Sequence, residues 1–248
     1  MTEHKSNGGT RVPAAFLIAL ALGLAGWFVG NGFSVGRAAD RYVTVKGVAE
    51  REVKADLALW PIRLASTDDD LSRAQQRINQ NLEKVYAFLA KNQIARERAE
   101  LQGLKVTDTF ANPYQQGRTS NRFIIQQTLM VRTTDPDKVR AASQNVGELV
   151  DAGVVLSSGP EYGPGGPTFL FTGLNDLKPQ MIAEATAEAR KAAEQFARDS
   201  ESNLGGIRRA NQGVFQILPR DQAPGVSEQS QLYKTVRVVS TIDYLLEG

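Results

Sequence analysis

The chain has 248 residues, 29 basic against 27 acidic side chains, a single histidine and no cysteine. Without cysteine there is no disulfide, no thiolate metal site and no cysteine nucleophile. The one histidine, His4, lies ahead of an apolar segment that reads as a membrane helix, so His-based catalysis is removed from everything behind it. Only Glu3, Lys5, Arg11 and Arg37 among the charged residues precede Asp40, so the body from Asp40 onward is charge-balanced and shows no basic excess for neutralising phosphates. Nucleic-acid binding is set aside on that ground.

Residues 13–30, PAAFLIALALGLAGWFVG, contain no charge. At about 1.5 Å per residue a helix of this length spans roughly 27 Å, close to the ~30 Å of a bilayer's hydrocarbon core. The predicted anchor is formed by Pro13, Phe16, Leu17, Ile18, Leu20, Leu22, Leu24 and Val29, with Trp27 and Phe28 as aromatic anchors at the far interface. The apolar run continues to Phe33, so residues 13–33 read as one transmembrane signal-anchor followed by a linker at 34–41. The competing reading is a cleaved secretory signal, for which Gly36 and Ala38 supply a small-x-small site. Lys5 and Arg11 hold residues 1–12 in the cytoplasm by the positive-inside rule. The expectation is a single-pass protein of the bacterial inner membrane with a periplasmic body at 42–248, or a soluble periplasmic or outer-membrane-associated body after cleavage.

Behind the linker the chain reads YVTVKGV and then EVKADLALWPIRLAS, where Val53, Ala55, Leu57 and Leu59 alternate with more polar neighbours as in a half-buried strand. Gly47 is expected to turn or bulge this first hairpin, and Pro61, which has no amide to donate, places its strand at an edge or a bulge. Asp68, Asp69 and Asp70 precede Leu71, Ala74, Ile78, Leu82, Val85 and Leu89, a run of threes and fours that marks one helical face. Acidic residues at this position cap free amides and meet the positive end of the helix dipole, and no EF-hand spacing follows them.

Residues 101–109 and 123–133 read as two strands of a long hairpin joined through Asn112-Pro113 and Gly117. Asp135-Pro136 opens a helix with Val139, Ala142, Val146 and Leu149 on its apolar side and Gly153 as its stop. A Gly/Pro-rich stretch then leads into strand residues 169–171. A third helix is predicted from Pro179 to Asn203, with Ile182, Ala185, Ala189, Ala192, Phe196 and Ala197 on one face and Gly205-Gly206 at its end. Residues 214–218 and 234–246 read as strands separated by a polar loop. The order ββαββαβαββ gives an α+β fold with a mixed or antiparallel sheet and packed helices, preceded by one transmembrane helix.

No catalytic constellation stands out. Glu50, Asp56, Glu161 and Asp176 have no spacing that forces convergence on a metal, and no cofactor site is expected. The GPGGP stretch at 163–167 contributes two prolines without amide hydrogens and lacks the lysine of a phosphate-binding loop, so it reads as a loop. No G-x-S-x-G elbow occurs.

The opening VTVKGVAEREVKADLA with Gly47 and Asp56, the strand FIIQQTLMVRTTDPDKV, and FLFTGLNDLKPQMIAEATAEARKAAEQFARDSESNLGGI resemble the SIMPL-domain (DUF541) proteins of the bacterial envelope over residues 42–246. The chain departs from that pattern at Ala55, where the family usually carries Pro, and in the Gly/Pro insert at 159–167. The resemblance implies an α+β fold, an envelope location, higher oligomers and a link to stress resistance; it carries no reaction and no catalytic residues.

The expected function is therefore a non-catalytic, membrane-tethered periplasmic assembly or interaction module. Its partners would be the lipid bilayer, further copies of the chain and an envelope protein of unspecified identity. Tyr114, Phe123, Ala185, Ala189, Ala192 and Phe196 are the candidate subunit contacts, together with the hairpin at 101–133 and the loop at 219–232. The alternative is a periplasmic small-ligand binding protein with a pocket lined by Trp60, Tyr114, Phe123, Tyr162 and Phe169. A third reading is a carboxylate-dependent enzyme using Asp56.

Overall fold

The computed structural model describes residues 19–29, 41–111, 121–157 and 166–247. Its elements are α1 (19–29), β1 (Tyr42–Lys54), β2 (Leu57–Asp68), α2 (Leu71–Lys91), β3 (Ala99–Asp108), β4 (Phe123–Thr133), α3 (Pro136–Gln144), α4 (Gly147–Asp151), β5 (Thr168–Leu170), α5 (Leu174–Asp199), β6 (Asn203–Gln212), β7 (Gln216–Pro219) and β8 (Tyr233–Glu247). This is an α+β chain with antiparallel strand pairing, as the sequence predicts, but its strands form two sheets rather than the single sheet expected. Helix α1 covers part of the predicted anchor and carries Leu20, Leu22, Leu24, Trp27, Phe28 and Val29, all exposed. Pro13, Phe16, Leu17 and Ile18 lie outside the described residues. Among the described residues no helix is long and apolar enough to cross a membrane.

The chain divides into two compact units. One holds the described residues up to Ala49, Ile182–Val214 and those from Val238 onward; the other holds Glu50–Met181 and Phe215–Arg237.

In the first unit β8 lies between β1 and β6. Strand β1 alternates strictly, burying Val43, Val45, Gly47 and Ala49 and exposing the residues between them. Val43, Val45, Ala189, Ala193, Ile242 and Tyr244 form the core of this unit. Gly47 does not turn the chain, because β1 runs unbroken through it. A Cβ built there would fall 1.8 Å from the Ala185 carbonyl oxygen and 2.5 Å from the Ala189 amide nitrogen. Glycine is required because the backbone of α5 lies directly against the strand, and the small alanine face is what permits that approach.

The buried row of α5 in this unit is Ala185, Ala189, Ala193 and Ala197, a strict fourfold spacing. Ala192 and Phe196, predicted to share it, are exposed. Asn203 and the Gly205-Gly206 stop, expected to close the helix, open strand β6 instead: residues 203–212 pair antiparallel with β8, with register shifts between Leu204 and Ile207 and again between Ile207 and Arg209. The glycines at 205 and 206 lie in that irregular stretch rather than at a helix end.

The second unit is built on the antiparallel sheet β3-β4-β2-β5. Trp60 faces Val131, Ile62 faces Leu129 and Leu64 faces Gln127, so one face of the β2–β4 pair is continuously buried. Helix α2 covers that face with Ala74, Ile78, Leu82, Val85, Phe88 and Leu89, close to the predicted stripe, while Leu71 is exposed. Pro61 sits in an interior strand, yet β5 pairs only with Leu57–Leu59, so next to Pro61 the strand has a sheet neighbour on one side only. The missing amide is tolerated for that reason. The predicted single helix after Pro136 is broken at Asn145–Val146 into α3 and α4, and Gly153, at φ +77°, ends it as expected. In this unit β7 pairs with the start of β8.

Candidate functional site

Strand β3 is the edge of its sheet. Its register with β4 sets Leu101 opposite Leu129, Leu104 opposite Gln127 and Val106 opposite Ile125, and these β4 residues belong to the face that α2 covers. The apolar side of the sheet therefore continues onto β3. Helix α2 packs over β2 and β4, and residues 100–106 of β3 are exposed at every position. Leu101, Leu104 and Val106 are 50%, 55% and 47% exposed.

Leu101 and Leu104 share a face although three residues apart, because the β3–β4 register shifts between Gln102 and Leu104. Gly103 is the extra residue, at φ +52°, and glycine enters that left-handed region without steric cost. The polar side of β3 carries Glu100, Gln102 and Lys105, opposite Met130, Thr128 and Gln126. Beyond the strand, the described ends of the hairpin are closed by Arg122. Its backbone carbonyl accepts the Thr109 N–H at 2.8 Å, and its guanidinium meets the Asp108 carboxylate at 2.9 Å and lies 4.9 Å from the Phe123 ring centre. The hydrogen bond from Arg122 holds the Asp108 carboxyl below its ordinary pKa. Phe110, in the turn after β3, is exposed.

A second feature is a cleft of about 440 Å³ lined by Arg140, Ser143, Gln144, Phe169, Arg220 and Tyr233, among others. Arg220 lies 5.2 Å from the Tyr233 ring centre and is held by Asp221 at 2.7 Å. Gln231 fixes the backbone of Asp221 from both sides, accepting its N–H at 3.1 Å and donating to its carbonyl at 2.8 Å. The loop predicted at 219–232 is thus a clamped structure. It is further pinned through Glu228, whose carboxylate meets the fully buried Lys234 ammonium at 2.5 Å. Arg140 makes no ion pair among the described residues.

Asp56, the most suggestive acid in the sequence, is a clamp. Its carboxylate accepts the Thr172 N–H at 2.8 Å, the Gly173 N–H at 2.9 Å and the Thr172 hydroxyl at 3.1 Å, and its own N–H donates to the Leu170 carbonyl at 3.0 Å. It ties the turn between β1 and β2 to the chain entering α5. The preceding Ala55 donates its N–H to the Leu232 carbonyl at 2.8 Å, a bond that a proline there could not make.

A family model described as a protein of unknown function (DUF541), named SIMPL, matches residues 43–240. The chain belongs to the SIMPL family. No curated protein matches it. The SIMPL match takes in both Gly47 and Asp56, and the structure gives each a packing role. It also takes in all of β3 and the Arg140 cleft.

The predicted contact residues do not converge. Ala185 and Ala189 are fully buried against the chain's own β1, which withdraws them from any outer surface. Ala192 and Phe196 remain exposed on α5, Phe123 is half-buried at the start of β4, and Tyr114 lies outside the described residues. The predicted aromatic pocket is not assembled either. Trp60 is buried in the core, edge-on to Phe88 at 6.4 Å, and Phe169 belongs to the same core while touching the cleft. Tyr162 also lies outside the described residues. Asp68, Asp69 and Asp70 all serve the fold. Asp70 caps α2 by accepting the Arg73 N–H at 2.9 Å, Asp69 accepts the Arg122 N–H at 3.1 Å, and Asp68 meets Arg73 and Arg77, each at 2.9 Å. Among the described residues no group of three or more His, Asp or Glu side chains is placed to hold a metal.

The hairpin at 101–133 was expected as a contact segment, and most of β3 lies in it, but the apolar strip on β3 was not singled out. Its signal was present in Leu101, Leu104 and Val106, but the bulge at Gly103 breaks the alternation by which a shared face is recognised.

Proposed function

We propose that this SIMPL chain is a non-catalytic interaction module of the bacterial envelope, tethered to the inner membrane by its N-terminal apolar segment, with the body in the periplasm and working as a homo-oligomer. One observation carries the assembly reading: an apolar strip on a ten-residue edge strand that its own helix leaves uncovered. A free edge presents unpaired backbone groups, and long edge strands with exposed apolar side chains associate with other chains unless something blocks them. The tether reading is supported by α1, whose apolar side chains are exposed and take no part in either core. The family resemblance adds an expected link to stress resistance. Light scattering on the full-length protein in detergent tests the assembly, with a multiple of the monomer mass expected at micromolar concentration. A strict monomer there overturns it.

The second reading, a small-ligand binding protein, is favoured by the Arg140–Arg220 cleft. The Arg140 guanidinium beside serine and glutamine side chains suits a small acid, while Arg220 in the same cleft is engaged by Asp221, which also lines it. A ligand that binds only the native state raises the melting temperature. A panel of small carboxylates and phosphates that leaves the melting curve unmoved removes this reading.

A further inference from the structure

We propose that the outer edge of β3 pairs antiparallel with β3 of a second copy of this chain, about a twofold axis between Gln102 and Gly103, joining two four-stranded sheets into one of eight. The inference rests on the assembly reading above and specifies the surface that performs it.

The strand's own residues select the occupant. About that axis Leu101 of one copy faces Leu104 of the other, Ala99 faces Val106, and Glu100 faces Lys105, each pair occurring twice. The face assignments make this consistent. Ala99, Leu101, Leu104 and Val106 oppose Val131, Leu129, Gln127 and Ile125 of β4, all buried, so they share the helix-covered side of the sheet. Glu100 and Lys105 oppose Met130 and Gln126, on the other side.

The extra residue at Gly103 makes this register possible. In a regular strand, positions three apart point to opposite faces, and Leu101 could not meet Leu104 across a twofold axis that keeps both helices on one side. Sliding the copies by one residue sets a leucine against Glu100 or Lys105; sliding by two separates Glu100 from Lys105. Neither charge has an ion pair or side-chain hydrogen bond among the described residues, so both are free to serve as register markers. Charges directly opposite one another across a strand pair stabilise when unlike and destabilise when alike. The same charges and the bulge disfavour indiscriminate pairing of this edge, which confines it to partners that match the pattern.

The test is a charge-swap cycle on the full-length protein in detergent, read by analytical ultracentrifugation. Glu100→Lys and Lys105→Glu each place like charges face to face twice and are expected to weaken self-association at least tenfold. The double variant, E100K with K105E, restores the unlike pairs and is expected to return to within about threefold of the parent. Both positions of the cycle are exposed, so each variant is expected to keep the parent's far-ultraviolet circular dichroism, which separates loss of pairing from loss of fold. Because the chain lacks cysteine, Leu101→Cys co-expressed with Leu104→Cys provides a second readout. The mixed pair brings the two thiols within disulfide reach, and either variant alone does not.

Disulfide in the mixed sample alone, together with charge-swap rescue, supports the pairing. An oligomer indifferent to the charge swaps overturns the β3 pairing while leaving assembly standing. A monomeric parent removes both.

Discussion

At the scale of single residues, two positions quoted for the family resemblance turn out to be held by geometry. Gly47 is buried in a strand where even one methyl group collides with backbone, and backbone atoms on a packed helix cannot rotate aside as a flexible side chain can. Gly47→Ala must push α5 off β1 or bend the strand. The expected cost is about 3 kcal/mol or more, at the upper end of overpacking effects, read as a lower denaturation midpoint with loss of protection in β1 amides. Asp56 differs in kind, because its carboxylate satisfies two backbone amides and a hydroxyl at the entry to α5. Asp56→Ala leaves those donors without acceptors and is expected to cost about 2 to 3 kcal/mol. Asp56→Asn is no rescue, since its amide group presents hydrogens where the donors already point. A stability equal to the parent in either Asp56 variant would contradict the clamp.

At the scale of elements, α2 shows how a carboxylate beside a helix start becomes a pH-dependent contribution to stability. The Asp68 carboxyl is held below its ordinary value, first by the Asp70 N–H and then by the Arg73 and Arg77 guanidinium groups, against the opposing effect of burial. A group with a depressed pKa in the folded state stabilises fully above its unfolded value, 3.8 here, and loses that contribution as pH falls through the folded value. Asp108 beside Arg122 and Glu83 beside Arg96 are shifted in the same direction. Denaturation midpoints measured at pH 7 and pH 3 are expected to fall for the parent and to fall less for Asp68→Asn, which has no proton to gain at that site.

Helix α2 was also the most legible element, because its apolar residues recur at threes and fours and its cap is local in sequence. Strand β6 was illegible for the opposite reason. Its residues, NLGGIRRANQ, have poor strand propensity, and what makes them a strand is β8, whose pairing residues lie well downstream in the chain, from Ser240 to Glu247. Gly47 was misread as a turn because a glycine signals either freedom or closeness, and only Ala185 and Ala189, far along the chain, decide between them. On α5 the apolar composition was plain, yet adjacent residues 192 and 193 are both alanine. Only the packed structure shows that 193 faces inward.

At the scale of the whole molecule, the exposed apolar N-terminal segment has to be accommodated. Leu20, Leu22, Leu24, Trp27, Phe28 and Val29 are exposed on α1, and a large apolar side chain left in water forgoes roughly 1.5 to 3 kcal/mol relative to burial. Several such residues in succession need an apolar cover, and neither core of the body provides it. Under the proposed tether the cover is lipid, consistent with an uncharged run flanked upstream by Lys5 and Arg11. If the segment is an uncleaved anchor, the full-length chain resists carbonate extraction from membranes, and its purified mass retains residues 1–39. A chain beginning at Asp40 is expected in the soluble fraction with unchanged far-ultraviolet circular dichroism, since both cores are drawn from residues 43–246. A mature N-terminus found just after Ala38 would instead select the cleaved signal. An intact chain dissolved in the cytosol would remove the tether and the periplasmic location together, and would leave the β3 edge to be explained as a contact made in solution.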